Sequence, residues 1–177
     1  MSVSSVGRQS GISVIELIVV LAVASLLLSL VATMFATSLT AQRQTSDREA
    51  ATAGLNAVTA SITESVRGSV DVRVSTSGQR LDATVLLSDG TSWECRAWQL
   101  TDGELRYSSG ASARAAADST WASIASGVSG TFTGGAVFVE SGSRIALGMR
   151  ITRGDASVAV SDGSNSLAVA TGGPACW

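Results

Sequence analysis

Gly11-Ile12-Ser13-Val14-Ile15-Glu16-Leu17-Ile18-Val19-Val20-Leu21 is the stretch that decides how this chain folds. A polar leader ending in Arg8-Gln9-Ser10 runs directly into it, and Glu16 is the only charge from there to Arg43. Leu17 to Phe35 is 19 residues without a charge, long enough to cross a bilayer as a helix. A charge inside such a span costs roughly 2.5–3.5 kcal/mol on insertion scales, so Glu16 asks for a partner or a purpose. The plainer alternative is a glutamate near the membrane surface that reaches its carboxylate back to water.

Moving outward, residues 12–67 read as one helix, with no Pro and with Gly54 as the only glycine before Gly68. An interior Gly is tolerable at about 1 kcal/mol relative to Ala. In the first half, Ser25, Ser29, Thr33 and Thr37 recur every four residues as a small, polar stripe. Such a stripe lets helices approach closely in apolar surroundings; alternatively, the hydroxyls bond to carbonyls of their own helix. From Thr40 the character changes. Gln42, Arg43, Gln44, Ser46, Asp47, Arg48 and Glu49 suit water, and then Leu55, Val58, Ile62 and Val66 follow at helical spacing. That apolar stripe predicts a half-helix packed on a sheet, with Gly68 as its stop.

Strand signals dominate after residue 68. Val70, Val72 and Val74 alternate, as do Leu81, Ala83, Val85 and Leu87. Ser88-Asp89-Gly90-Thr91 reads as a turn into Trp93–Leu100, and Thr101-Asp102-Gly103 as a second turn into Glu104–Tyr107. The spacing places Trp93 and Cys95 on one strand face, so Trp93 is the expected core aromatic beside that cysteine. Residues 108–120 read as an exposed loop or short helix. Beyond Trp121–Val128 and Phe132, strands are expected at Ala136–Glu140, Ile145–Ile151 and Ser157–Val160, with Arg153-Gly154-Asp155 as a hairpin turn. The fold class is therefore α+β, a long N-terminal helix followed by an antiparallel β-sheet head.

Composition narrows the chemistry. Of 177 residues, 12 are basic and 14 acidic, a net charge of −2, with no His, and every basic residue is Arg. That balance gives no strong basic footprint for nucleic acid. Catalysis is not expected: a Ser nucleophile needs a base, and neither His nor Lys is available. The Asp-Gly pairs at 89–90, 102–103 and 162–163 sit at turns, where Asp bonds its own backbone, and do not form a calcium loop. No metal site and no cofactor are expected. Cys95 and Cys176 are the two cysteines. An even count outside a membrane points to one disulfide, worth roughly 4 kcal/mol in the chain-entropy picture, the alternative being two buried thiols.

The block Gly11 to Val20 resembles the prepilin cleavage and methylation signal of type IV pilins and pseudopilins. Gly, hydrophobe, spaced Glu and long apolar helix coincide over about 25 residues. The resemblance implies a leader over 1–11, a membrane and filament-core half-helix over 12–40, and a globular head over 41–177. The head in turn divides into the amphipathic half-helix 41–67 and a β-rich part 68–177. It implies that a prepilin peptidase cuts after Gly11 and N-methylates Ile12. Glu16 then becomes the fifth mature residue, meeting the N-terminal amine of a neighbouring subunit and setting register. The family's usual first mature residue is Phe; Ile12 departs from that, as Thr33 does from a mid-helix Pro, and both point to an accessory subunit. Trp121–Phe132 is weakly similar in spacing to the stretch before the second sheet in J-type pseudopilins and W-type minor pilins. The implied partners are the peptidase, other pilin or pseudopilin subunits, an inner assembly platform, and the cytoplasmic membrane before assembly. The chain would cross that membrane once, N-terminus inside, before reaching a surface pilus or a periplasm-type space.

Three alternatives accompany this reading. A cleaved secretory signal has a shorter apolar core, and Ala22-Val23-Ala24 falls in mid-segment, so retention is expected. A DNA- or surface-binding pilus subunit would need clustering of Arg73, Arg80, Arg96, Arg106, Arg114, Arg144, Arg150 and Arg153, which are scattered in sequence. A type II secretion pseudopilin shares the same assembly chemistry.

Overall fold

The computed structural model describes residues 13–142, 144–167 and 172–177. Gly11 and Ile12 lie outside the described residues. The fold is α+β. A single helix, α1 (Val14–Arg67), precedes nine strands: β1 (Ser69–Val74), β2 (Arg80–Leu86), β3 (Trp93–Thr101), β4 (Glu104–Gly110), β5 (Ala122–Ser126), β6 (Val128–Gly130), β7 (Phe138–Ser141), β8 (Arg144–Arg153) and β9 (Ala156–Asn165). Contacts divide the chain into two units between Arg43 and Gln44.

Up to Arg43, α1 carries an apolar surface that is exposed throughout, Val14 to Phe35 included. It is long and apolar enough to cross a membrane by length and composition. The stripe hydroxyls along it are satisfied within the helix. Ser25, Ser29 and Thr33 each donate to the carbonyl three residues back at 2.8 Å, and Thr37 donates to Met34 at 2.9 Å. An unpaired hydroxyl in hydrocarbon is costly, so this back-bonding lets Ser and Thr sit in an apolar helix.

Within the second unit, α1 buries Ala51, Leu55, Val58, Ile62 and Val66, spaced four, three, four and four residues apart. That is one face of a helix. It shares a single core with Leu81, Ala83 and Val85 of β2, Trp98 of β3, Leu105 of β4, and Ile145, Leu147, Met149 and Ile151 of β8. The helix ends at Arg67, but Gly68 stops it without a left-handed φ. Instead, the Gly68 N–H still donates to Glu64 O at 3.0 Å, and Ser69 Oγ caps Val66 O at 2.6 Å. Local carbonyl capping does the work expected of a left-handed glycine.

The strands form two antiparallel sheets. The first is ordered β1-β2-β3-β4-β5; in the second, β8 pairs with β6 and β7 on one side and β9 on the other. The chain changes sheet at Gly127 (φ +68°), where a Cβ would come within 2.3 Å of Thr152 O. Gly127 O in turn accepts the Thr152 N–H at 2.9 Å, and Val128 N donates to Gly103 O at 2.9 Å. The hairpin turn between β1 and β2 ties to the second sheet, because Gly78 O accepts from both Val137 N and Phe138 N at 2.9 Å. The expected hairpin at Arg153-Gly154-Asp155 forms, with β9 running to Asn165, well past the expected end at Val160.

Register assigns the two faces of the first sheet. Leu81 opposes Trp98, Ala83 opposes Arg96, and Trp98 opposes Tyr107, which places these side chains on the helix side. Thr84 opposes Cys95 and Asp82 opposes Ala97, on the outer side. Trp93 therefore shares the outer face with Cys95, as the alternation predicts, but it is not a core aromatic. It is half-buried, with Gly173 lying over its ring, while Trp98 on the opposite face is fully buried. The alternation identifies faces but not which of them the helix covers.

Candidate functional site

Two features carry candidate function: the first turns of α1 and the outer face of the first sheet. Glu16 lies in the first turn of α1, where a carboxylate is favoured by the unpaired N–H groups of a helix start. It is surrounded along its own segment by exposed Val14, Ile15, Leu17 and Ile18. The stripe residues Ser25, Ser29, Thr33 and Thr37 lie exposed farther along the same segment.

The outer face of the first sheet is polar, and polarity there has a purpose. Residues 111–120 form no helix; they run as an irregular segment whose backbone groups are taken up by sheet side chains. Arg80 donates to Arg114 O at 2.6 Å and to Ala115 O at 2.9 Å. Arg106 donates to Asp118 O at 2.6 Å, and Gln99 accepts the Ala117 N–H at 3.0 Å. Arg80 is itself held by Asp82 through two bonds, 2.7 and 2.8 Å, and lies 5.5 Å from the Trp121 ring centre. The loop itself is largely exposed, and these side chains pin its backbone to the sheet.

The C-terminal segment 172–177 covers the rest of that face. Cys176 is bonded to Cys95, both buried, which bears out the pairing of the two cysteines. Thr84 Oγ1 donates to Pro174 O at 3.3 Å, and the Trp177 ring lies 5.8 Å from the Arg73 guanidinium.

The eight arginines of the β-rich part do not gather into one basic surface. Three are neutralised by acids two residues away on the same strand face: Arg80 by Asp82, Arg96 by Glu94, and Arg106 by Glu104, at 2.7–2.8 Å. Arg96 faces the helix, donating to Ser65 Oγ at 3.0 Å, and its bond to Glu94 holds that carboxyl below the usual range. Asp118 is likewise lowered, first by the Thr120 hydroxyl and then by its backbone N–H. Arg144, Arg150 and Arg153 belong to β8. Arg73, Arg80 and Arg114 line one cleft together. The i, i+2 acid–base pairs were readable as Arg80-Leu81-Asp82, Glu94-Cys95-Arg96 and Glu104-Leu105-Arg106 once those segments were taken as strands. Sequence reasoning counted the arginines without pairing them.

No protein-family model, curated protein or solved structure matches this chain. Among the described residues, no group of three or more His, Cys, Asp or Glu side chains is placed to hold a metal ion.

Proposed function

We propose that this chain is a minor type IV pilin or pseudopilin, a non-catalytic filament subunit processed after Gly11 and incorporated at a filament tip or initiation complex. One observation carries the reading: a lone carboxylate, Glu16, stands in the first turn of an apolar, fully exposed half-helix that continues without a break into the brace of a β head. An exposed apolar segment of this length must be covered by lipid or by other helices. A carboxylate at its start then has an energetic reason to meet a cation, which the N-terminal amine of a neighbouring subunit would supply. The back-bonded Ser and Thr side chains leave the helix surface small enough for close packing.

The test has two variants. Gly11→Ala should leave the uncleaved, membrane-held form, read as a slower band on a gel in cells carrying a prepilin peptidase. Glu16→Ala should be cleaved normally yet be lost from sheared filaments. Normal maturation of Gly11→Ala would remove the processing claim, and undiminished incorporation of Glu16→Ala would return Glu16 to a surface carboxylate. Ion pairing of Arg80, Arg96 and Arg106 speaks against a nucleic-acid surface as the main role of the head.

A further inference from the structure

The 172–177 segment is fastened to the outer face of the first sheet at very few points. Cys176 is bonded to Cys95 on β3. Among the described residues, the backbone of the segment makes one hydrogen bond to the sheet, accepted by Pro174 O from Thr84 Oγ1 at 3.3 Å. Beyond these, Gly173 lies over the Trp93 ring, and the Trp177 ring is 5.8 Å from the guanidinium of Arg73, which is itself exposed. Every residue of the segment except Cys176 is exposed. A cleft of about 400 Å³ lies between the segment and the sheet, with Val70, Asp71 and Thr84 on one wall and Pro174, Ala175 and Trp177 on the other.

The segment also stands apart from the core. The apolar cluster shared by α1 and both sheets includes neither cysteine and no residue of 172–177. Lifting the segment therefore breaks one covalent bond, one hydrogen bond and peripheral contacts, and leaves the helix-to-sheet packing in place. Its first two residues, Gly172 and Gly173, sit at φ +92° and +126°, backbone that only glycine adopts freely. They put the greatest backbone freedom at the point from which the segment would swing. A Cβ on Gly173 would come within 3.1 Å of the Trp93 ring, so the close seating over that ring also requires glycine.

We propose that the Cys95–Cys176 bond is a redox latch: a dithiol reductant opens it, the 172–177 segment swings away about Gly172–Gly173, and the outer sheet face around Trp93 and Thr84 is uncovered while the helix and both sheets stay folded. A thiolate of the dithiol attacks Cys176 Sγ, and the Cys95 sulfur leaves as a thiolate and takes up a proton. The second thiol of the reductant then displaces Cys176, whose thiolate is protonated in turn. Two electrons pass to the protein, one S–S bond becomes two thiols, and the reductant becomes a disulfide. The cleft is the approach to the bond, because Thr84 opposes Cys95 across the β2–β3 pairing and Pro174, Ala175 and Trp177 flank Cys176. Both cysteines are buried, so attack follows a partial lifting of the segment, which a single hydrogen bond opposes only weakly. The latch does not depend on whether the chain enters a filament.

The experiment follows the indole N–H signals of the four tryptophans by NMR, in the full chain held in detergent micelles, before and after dithiothreitol. Reduction should move the Trp93 and Trp177 signals and leave those of Trp98 and Trp121 in place, and reoxidation should restore the first spectrum. The C95A/C176A variant should show the reduced spectrum without any reductant. Reduction should also run about tenfold or more faster than global unfolding, read from hydrogen exchange of the buried Leu55–Ile62 stretch of α1. Gly173→Ala, which pushes the segment off the Trp93 ring, should speed reduction several-fold further. Collapse of all four indole signals on reduction would overturn the proposal, because the bond would then hold the whole fold and not a latch. Unmoved Trp93 and Trp177 signals in fully reduced chain would overturn it too, as would reduction no faster than global unfolding.

Discussion

Replacing Arg80 by Met removes the partner of a carboxylate that is 5% exposed, and the cost can be worked from its surroundings. Asp82 accepts both of its close bonds, 2.7 and 2.8 Å, from Arg80. Breaking a buried ion pair from one side costs about 3–5 kcal/mol, whereas an exposed pair is worth about 0–1 kcal/mol. The Arg80 side chain is 17% exposed and that of Asp82 7%, so water reaches the pair in part and the low end, about 3 kcal/mol, applies. The carbonyls of Arg114 and Ala115 also lose their donors, but they lie near the surface and can hydrate. Urea unfolding of the full chain in detergent micelles, followed by tryptophan fluorescence, should show this loss for R80M. The double variant R80M/D82L removes the stranded charge and should recover to within about 1 kcal/mol of the parent. The coupling energy from the cycle should be on the order of 2 kcal/mol. An R80M midpoint within about 0.5 kcal/mol of the parent would refute the reasoning and class the pair with surface bridges.

Reducing the Cys95–Cys176 bond, which spans 81 residues, should lower stability by about 4.5 kcal/mol in the chain-entropy account. Paired melts with and without reductant read this directly, and coincident melts would contradict it. Gly127→Ala should cost about 1–3 kcal/mol, because φ +68° is strained for an L side chain and the new Cβ meets the Thr152 carbonyl; an unchanged melting temperature would show that the sheet-to-sheet crossing can relax. Asp89 is held down to about 2 from 3.8, first by the Ser92 side-chain hydroxyl, then by the backbone N–H groups of Ser92 and Thr91. A lowered folded-state value stabilises the 87–92 turn above the unfolded pKa, and that contribution is lost as pH falls through about 2. Its carboxyl carbon should therefore titrate near 2 by NMR, and a midpoint near 3.8 would dismiss those hydrogen bonds.

Much of this architecture was legible because it is written in local periods. Leu55, Val58, Ile62 and Val66 announce a helix face, and the alternation through Leu81–Leu87 announces a strand, since both repeats are backbone geometry. The boundaries of β9 and the brief β6 were not legible. β6 is Val128–Gly130, three residues with no alternation to read, and it exists because β8 offers it a partner. The split into two sheets was suggested only by the weak resemblance of the Trp121–Phe132 spacing, and no local period marks where it falls. Gly127 looks like any turn glycine until Thr152 is seen beside it.

By itself the amino-acid sequence determined the two characters of α1, the strand-rich head and the absence of His and Lys. Each depends on composition or on neighbours within four residues. Tertiary structure alone decided that Trp98 and not Trp93 fills the core, that Arg80 clamps the 111–120 loop, and that Arg73, Arg114 and Trp177 share one cleft. Those outcomes depend on which face of a sheet the helix covers and on contacts between residues tens of positions apart. No local period encodes such contacts, because loop closure brings together side chains whose spacing along the chain has no bearing on their geometry in space.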